Sequence, residues 1–176
     1  MVRTVKSFSM LRAALALSSL AAAASASAYD WGDGFNLKKK EGDQYALLAS
    51  PVTQHFHPSP EHRHVWLVGI ERERADQSLA GAAFFSNSFG QSSVYLFPWG
   101  RTFRDVLGQE HLYVQLTAGL LYGYREPYRD KIPFNHYGVA PAIIPALGWQ
   151  FENKYAIQVN FLGLNGAMLQ FNLPVR

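Results

Sequence analysis

Apolar and polar residues alternate along most of the chain after residue 44, which is the pattern of β-strands with two unlike faces. The alternation is clearest from His111 to Tyr124, where one face is entirely apolar or aromatic and the other carries Gln, Thr and Gly. A helical period does not fit this stretch. Extended to the whole chain, the pattern predicts about eight strands: Tyr45–His55, Val65–Glu73, Leu79–Phe89, Ser92–Trp99, His111–Tyr124, Tyr137–Phe151, Tyr155–Phe161 and Ala167–Leu173.

The position of the charges decides which kind of β-protein this is. The strand faces opposite the apolar rows are nearly free of Lys, Arg, Asp and Glu, which cluster in connections such as Glu71–Gln77 and Arg125–His136. A soluble sandwich would instead keep its charges on the outer face. Each strand is also close to the length that crosses a bilayer at a tilt. The sequence therefore predicts an all-β, eight-stranded antiparallel transmembrane β-barrel, with an exported lipocalin-like barrel as the structural alternative.

The first residues are typical of a signal peptide. Arg3, Lys6 and Arg12 give a basic beginning, a run rich in Ala follows, and Ala26-Ser27-Ala28 fits a cleavage site. We therefore predict a signal peptide over residues 1–28 that is cleaved after export.

The rest of the chain is divided by composition. Residues 29–43 are polar and Gly-rich and predict a periplasmic lead-in that could form a short helix, and residues 44–176 form the barrel. No later apolar run is long enough for a membrane helix. The chain has no cysteine, which excludes a disulfide-stapled module, and its net charge of +3 is too weak and dispersed to indicate nucleic-acid binding. These features predict an outer-membrane location.

Polar residues that could carry chemistry occur at two predicted strand ends. His55 ends the first strand, and the apolar stretch that begins at Ala82 runs into Asn87 and Ser88. A neutral imidazole can take a proton from a hydroxyl in acyl transfer. The ordinary alternatives are a structural histidine and a simple turn. His55 and His57 could be a metal pair, but no third ligand follows at a recognisable spacing, so the sequence predicts no metal and no cofactor.

Four segments resemble the outer-membrane lipid A palmitoyltransferases, the PagP family. Tyr45–His55 is similar to the family's first strand, with an aromatic start, a proline in mid-strand and Thr-x-His at its end. Phe85–Phe89 resembles the Phe-x-Asp-Ser-Trp segment, with Asn87 in place of the aspartate. Leu116–Gly119 and Pro141–Gly148 resemble the Phe-Thr-Ala-Gly and Pro-x-x-x-Pro patterns. The segments occur in the family's order and span most of the predicted barrel.

The resemblance implies an enzyme that moves a palmitoyl chain from a phospholipid to lipid A. By position, His55 matches the family's histidine and Ser88 its serine, so we predict His55, Ser88 and Asn87 as catalytic residues. If the first strand continues through His57, the two histidines share a face. The match of Thr53-x-His55 and the prolines that follow His57 favour His55 as the base.

The resemblance also implies a route for the lipids. Pro51, Pro141 and Pro145 would open gaps between strands for lateral access, and Gly100 lies near the place where the family lines the floor of its acyl-chain pocket. The expected partners are the phospholipid donor, the lipid A acceptor and outer-membrane lipids, and we expect a monomer. Two other functions stay open. They are a lipid A deacylase or esterase on a similar barrel, and a non-enzymatic structural barrel.

Overall fold

The structure is a computed structural model that describes Lys38 and residues 40–175. In this part of the chain, eight antiparallel strands form a closed barrel in which β1 pairs with β8. The predicted all-β, eight-stranded antiparallel barrel is therefore confirmed. The predicted signal peptide, most of the lead-in and Arg176 lie outside the described residues. The strands are β1 (Gln44–His55), β2 (Leu67–Glu73), β3 (Ser78–Ser86), β4 (Ser92–Phe103), β5 (Leu112–Tyr122), β6 (Val139–Gln150), β7 (Ala156–Phe161) and β8 (Gly166–Val175).

The connections alternate between two ends of the barrel because neighbouring strands are antiparallel. One end, the loop rim, carries the β1–β2, β3–β4, β5–β6 and β7–β8 connections. The other end, the turn rim, carries the three remaining connections and the start of β1. Short 3-10 helices lie in two connections, at Val106–Gly108 and Arg129–Lys131. Among the described residues, no helix is long and apolar enough to cross a membrane.

Side-chain exposure follows the predicted alternation. On β5, Leu116 and Leu120 are exposed, whereas Gln115 is buried in the barrel interior. On β8, Phe171 is exposed and Gln170 is buried. The barrel therefore carries apolar side chains on its outside and amides on its inside, which is the arrangement typical of lipid-facing barrels.

The charged stretch Glu71–Gln77, predicted as a turn, overlaps the end of the predicted strand Val65–Glu73. β2 ends at Glu73 as predicted, and Glu71 pairs with Gly81 of β3, so the turn begins only after Glu73. The Glu71 carboxylate lies inside the barrel, where Gln115 Nε2 donates to its oxygens at 3.2 and 3.3 Å. The interior is therefore not free of charge. A buried carboxylate is tolerated because a hydrogen-bond donor replaces part of its lost hydration.

Candidate active site

A cavity of about 780 Å³, which we call the chamber, occupies the barrel interior on the side of the loop rim. Its volume falls in the range of about 300–1,000 Å³ that is usual for small-molecule sites. His55, Ser88 and Tyr124 lie at its mouth. The wall is built from buried apolar and aromatic side chains of five strands: Leu48, Leu67, Ala83, Phe85, Tyr95, Phe97 and Met168. The chamber is thus an apolar space with a polar mouth.

Polar side chains close the chamber at its inner end. Four of them form a closed cycle of hydrogen bonds 2.7–3.2 Å long, which we call the amide ring: Gln158 donates to Asn160, Asn160 to Gln170, Gln170 to Asn172 and Asn172 to Gln158. Tyr113 Oη donates to Gln158 at 2.8 Å. A second cavity of about 430 Å³ lies beyond this layer at the turn rim. The buried amides satisfy one another, so the polar floor is stable in an otherwise apolar interior.

His55 and Ser88 meet at the mouth of the chamber, with His55 Nε2 2.7 Å from Ser88 Oγ. His55 ends β1, where it is held by pairing with Gly166 of β8. Ser88 follows β3, and its carbonyl oxygen accepts the Arg63 N–H at 2.8 Å. In the tautomer with an unprotonated Nε2, the hydroxyl donates to the imidazole. This arrangement allows an imidazole to accept a proton from a hydroxyl.

Asn87 lies next to Ser88 but does not contact the imidazole through a hydrogen bond. Its side chain is buried, and Oδ1 accepts the N–H groups of Phe89 at 2.9 Å and Gln91 at 3.0 Å. Nδ2 donates to Ser93 Oγ at 3.2 Å. These bonds turn the chain, and this is why β3 ends at Ser86 and not at Phe89 as the alternation predicted. Asn87 therefore shapes the turn that carries Ser88.

Sequence reasoning missed two residues beside the pair. The His62 ring stacks on the His55 ring with centroids 4.0 Å apart and planes inclined by 30°. Tyr124 reaches Ser88 from the end of β5; burial raises the pKa of its phenol, and hydrogen bonds with Ser88 partly oppose this rise. His57 is exposed at the mouth. The run of histidines is visible in the sequence, but a loop has no periodicity to show which ring turns inward.

Pro51 lies where β1 loses one of its neighbours. Pairing of β1 with β2 ends at Ser50, while pairing with β8 continues to His55. The β1–β8 register also shifts between Ala49 and Val52. The predicted break in pairing at this proline is therefore confirmed, and it leaves an opening in the β1–β2 ladder beside the chamber mouth.

Pro141 and Pro145 lie in a second such stretch. β6 pairs with β5 from Val139 to Trp149, but its pairing with β7 covers only Ala146–Gln150. The loop-rim half of β6 is thus open towards β7, as predicted for a strand with two prolines, which have no N–H to donate. Both openings are near the mouth of the chamber. Their use by lipids stays a prediction.

Gly100 faces the interior but does not line the chamber. It pairs with Leu79 of β3 and Thr117 of β5. A Cβ atom at this position would lie 2.9 Å from Leu79 Cβ and 3.0 Å from the Leu116 carbonyl oxygen, so the site is already filled. Phe97, three residues earlier on β4, lines the chamber instead.

The site contains side chains for acid–base chemistry and none that are grouped for a metal. Among the described residues, no three His, Asp or Glu side chains are arranged to hold a metal ion. A comparison of the sequence with models of known protein families gives no match, and neither does a comparison with curated proteins. The function is therefore argued from the site itself.

Proposed function

We propose that this protein is an outer-membrane acyltransferase that moves a palmitoyl chain from a phospholipid to lipid A. One observation carries the proposal: a histidine and a serine, 2.7 Å apart, stand at the mouth of an apolar chamber inside a barrel with an apolar outer surface. Acyl transfer requires a base beside the place where the acyl chain is held, because the reacting ester must be fixed next to the proton acceptor.

The transfer needs one proton to move twice. Neutral His55 takes the proton of the attacking lipid A hydroxyl while its oxygen bonds to the carbonyl carbon of the donor ester. The tetrahedral intermediate then breaks its bond to the phospholipid oxygen, and His55 returns the proton to that leaving oxygen. Ser88 orients the imidazole or donates to the carbonyl oxygen, whose negative charge develops in this step.

The chamber suits a long saturated chain. Each buried methylene contributes about 0.8 kcal/mol, so an apolar wall favours a long chain over a short one. The hydrogen-bonded side chains of Gln158, Gln115 and Glu71 cross the interior and end the apolar space, because an alkyl chain that displaced them would leave buried polar groups without partners. The openings in the β1–β2 and β6–β7 ladders would let a lipid reach the mouth from the bilayer without crossing water.

The same serine and histidine favour one second candidate, a lipid A deacylase or esterase. A serine hydroxyl hydrogen-bonded to an imidazole is also the arrangement of a nucleophile and its base, with water as the final acceptor.

Mass spectrometry of lipid A from cells with and without expression separates the candidates. A gain of one palmitoyl mass supports the transferase, and loss of one acyl chain would replace it with the deacylase. Unchanged lipid A, with folded protein in the outer-membrane fraction, would contradict both enzymes. An inactive His55→Ala strain ties the change to this site, and His57→Ala is the matched control, since His57 is an exposed histidine two residues away.

A further inference from the structure

The imidazole of His55 lacks a carboxylate partner. In serine–histidine sites a third group usually orients the histidine through its second ring nitrogen. Among the described residues, Ser88 Oγ is the one side-chain atom hydrogen-bonded to the His55 ring. The side chain of Asn87, the neighbour of Ser88, forms its hydrogen bonds within the turn and none with His55. Besides the hydrogen bond with Ser88, a second contact is therefore needed to fix the rotation of the His55 ring.

His62 supplies that contact through the face of its ring. The two imidazoles are stacked at 4.0 Å. His62 is itself held on several sides, since its N–H donates to the Ser59 carbonyl oxygen at 3.0 Å and Phe89 meets its ring edge-on at 5.7 Å. The next residue, Arg63, donates its N–H to the Ser88 carbonyl oxygen at 2.8 Å. The loop that carries His62 is thus bonded to the residue that His55 contacts.

Hydrogen bonding by Nδ1 does not explain the position of His62. Its Nδ1 is buried and has no hydrogen-bond partner among the described residues. A buried polar atom without a partner costs free energy, so a histidine that only filled this space would be less favourable than an apolar ring. What this side chain supplies is the face of its ring, which stacks on the His55 ring.

We propose that His62 is a positioning residue, which covers one face of His55 and keeps its Nε2 directed at Ser88. This inference rests on the proposed acyl transfer and adds a third member to its site. Small errors in the placement of a reacting group are costly, because the rate depends on the fraction of time spent in the reactive geometry. Loss of the stacked ring should therefore lower kcat while the chamber still binds the acyl chain.

The test compares variants of the full chain, folded in detergent micelles and supplied with phospholipid and lipid A. His62→Leu removes the flat ring, and we expect kcat to fall on the order of 10–10²-fold with little change in KM for the phospholipid. His62→Phe keeps the ring and removes both nitrogens, so it should restore most of the rate. If His62→Leu does not assemble, His62→Gln replaces it as the variant without a ring.

Three results would overturn the inference: wild-type kcat in the variants without a ring, equal loss in His62→Leu and His62→Phe with both barrels folded, or an effect on KM alone. ¹⁵N NMR of the His55 ring gives an independent readout. We expect one tautomer in the wild type and His62→Phe, and averaged signals in the variant without a ring. If the wild type transfers no acyl chain, the proposed function fails, and the NMR comparison still decides whether His62 orients His55.

Discussion

The two halves of the barrel interior use their polar groups differently. In the turn-rim half, polar side chains bind one another. The amide ring is closed, and Arg104 donates hydrogen bonds of 2.7 and 2.8 Å to the Glu73 carboxylate. In the loop-rim half the wall is apolar, and the His55–Ser88 hydrogen bond stands at the edge of an unfilled space.

This difference indicates that the turn-rim half mainly contributes to stability and the loop-rim half mainly to function. A polar network that satisfies itself stabilises one packing of the interior and has no free groups for a ligand. Polar groups at the mouth of an apolar chamber add little to packing but can act on a molecule held there. Substitutions in the turn-rim half should therefore change unfolding, and substitutions at the mouth should change activity.

The largest expected effect is on activity at the mouth. Loss of a general base typically costs about 10²–10⁴-fold in rate, so His55→Ala should abolish detectable palmitoylation of lipid A, and Ser88→Ala should do the same. Both variants should still show the different gel mobility of folded and boiled barrel. His57→Ala should keep substantial activity. If His55→Ala were active and His57→Ala inactive, the base would be His57.

The second-largest effect should be a loss of stability caused by a substitution in the turn-rim half of the barrel. Gln158→Leu removes the residue that hydrogen-bonds Tyr113, Gln115, Asn160 and Asn172. Each buried group left without a partner costs about 1–3 kcal/mol, and the groups are coupled, so we expect a loss of about 2–5 kcal/mol in the free energy of unfolding.

The measurement is the temperature at which the folded band disappears on a gel, with the exposed Gln109→Ala as control. Transfer by Gln158→Leu should persist below that temperature. If Gln158→Leu were as stable as the wild type, the amide ring would not stabilise the turn-rim half of the barrel.

Much of the fold could be predicted because alternation records directly which face of a strand is buried. The residues of β5 and β8 face in and out as their pattern indicates. The errors have local causes. β3 ends early because the Asn87 side chain binds backbone N–H groups. The carboxylate of Glu71 is buried in the interior because Gln115, distant in sequence, supplies a donor.

The site was less predictable, because it depends on loops and irregular pairing. The predicted strand ends placed His55 and Ser88 at one rim, and the resemblance gave them roles, but no pattern pointed to His62. The β4–β5 register shifts between Leu96 and Trp99, and such a bulge changes which residues face inward. Alternation alone therefore could not show that Gly100 faces in yet packs against its neighbours.

A third prediction probes the chamber by volume. Ala83 is buried in the wall, whereas its neighbour Ala82 pairs with the outward-facing Leu96 and Ile70. Ala83→Leu should shift transfer toward shorter acyl chains, since each methylene that no longer fits loses about 0.8 kcal/mol of burial. Ala82→Leu should leave the preference unchanged. Mass spectrometry of lipid A after supply of mixed-chain phospholipids measures both. Equal chain-length preferences in the two variants would place the acyl chain outside the chamber.

The smallest expected effect is the pH-dependent contribution of Asp76, at the turn rim, to the stability of the fold. Burial works to raise the pKa of Asp76. Hydrogen bonds from the Ser78 hydroxyl at 2.6 Å and its N–H at 2.9 Å, together with Arg101 and Arg74, outweigh burial and hold this pKa below its ordinary value. A carboxyl whose pKa is lowered on folding stabilises the folded state above its unfolded pKa of about 3.9. That contribution is lost as the pH falls through the folded pKa.

Asp76→Asn should therefore lower stability at pH 7 by about 1 kcal/mol or less, because the carboxylate is partly exposed and screened by water. The gap between wild type and variant should begin to close as the pH falls below about 4, because Asp76 then takes up its proton in the unfolded chain before it does so in the folded protein. Heat-dependent gel mobility at pH 7 and pH 3 measures the gap, and Asp105→Asn, in the next connection at the same rim, is the control because its side chain makes no capping hydrogen bond. A gap that stayed constant between these pH values would mean that hydrogen-bond geometry, and not charge, is what Asp76 contributes. Activity should not change in either variant, since both lie at the end of the barrel away from the chamber mouth.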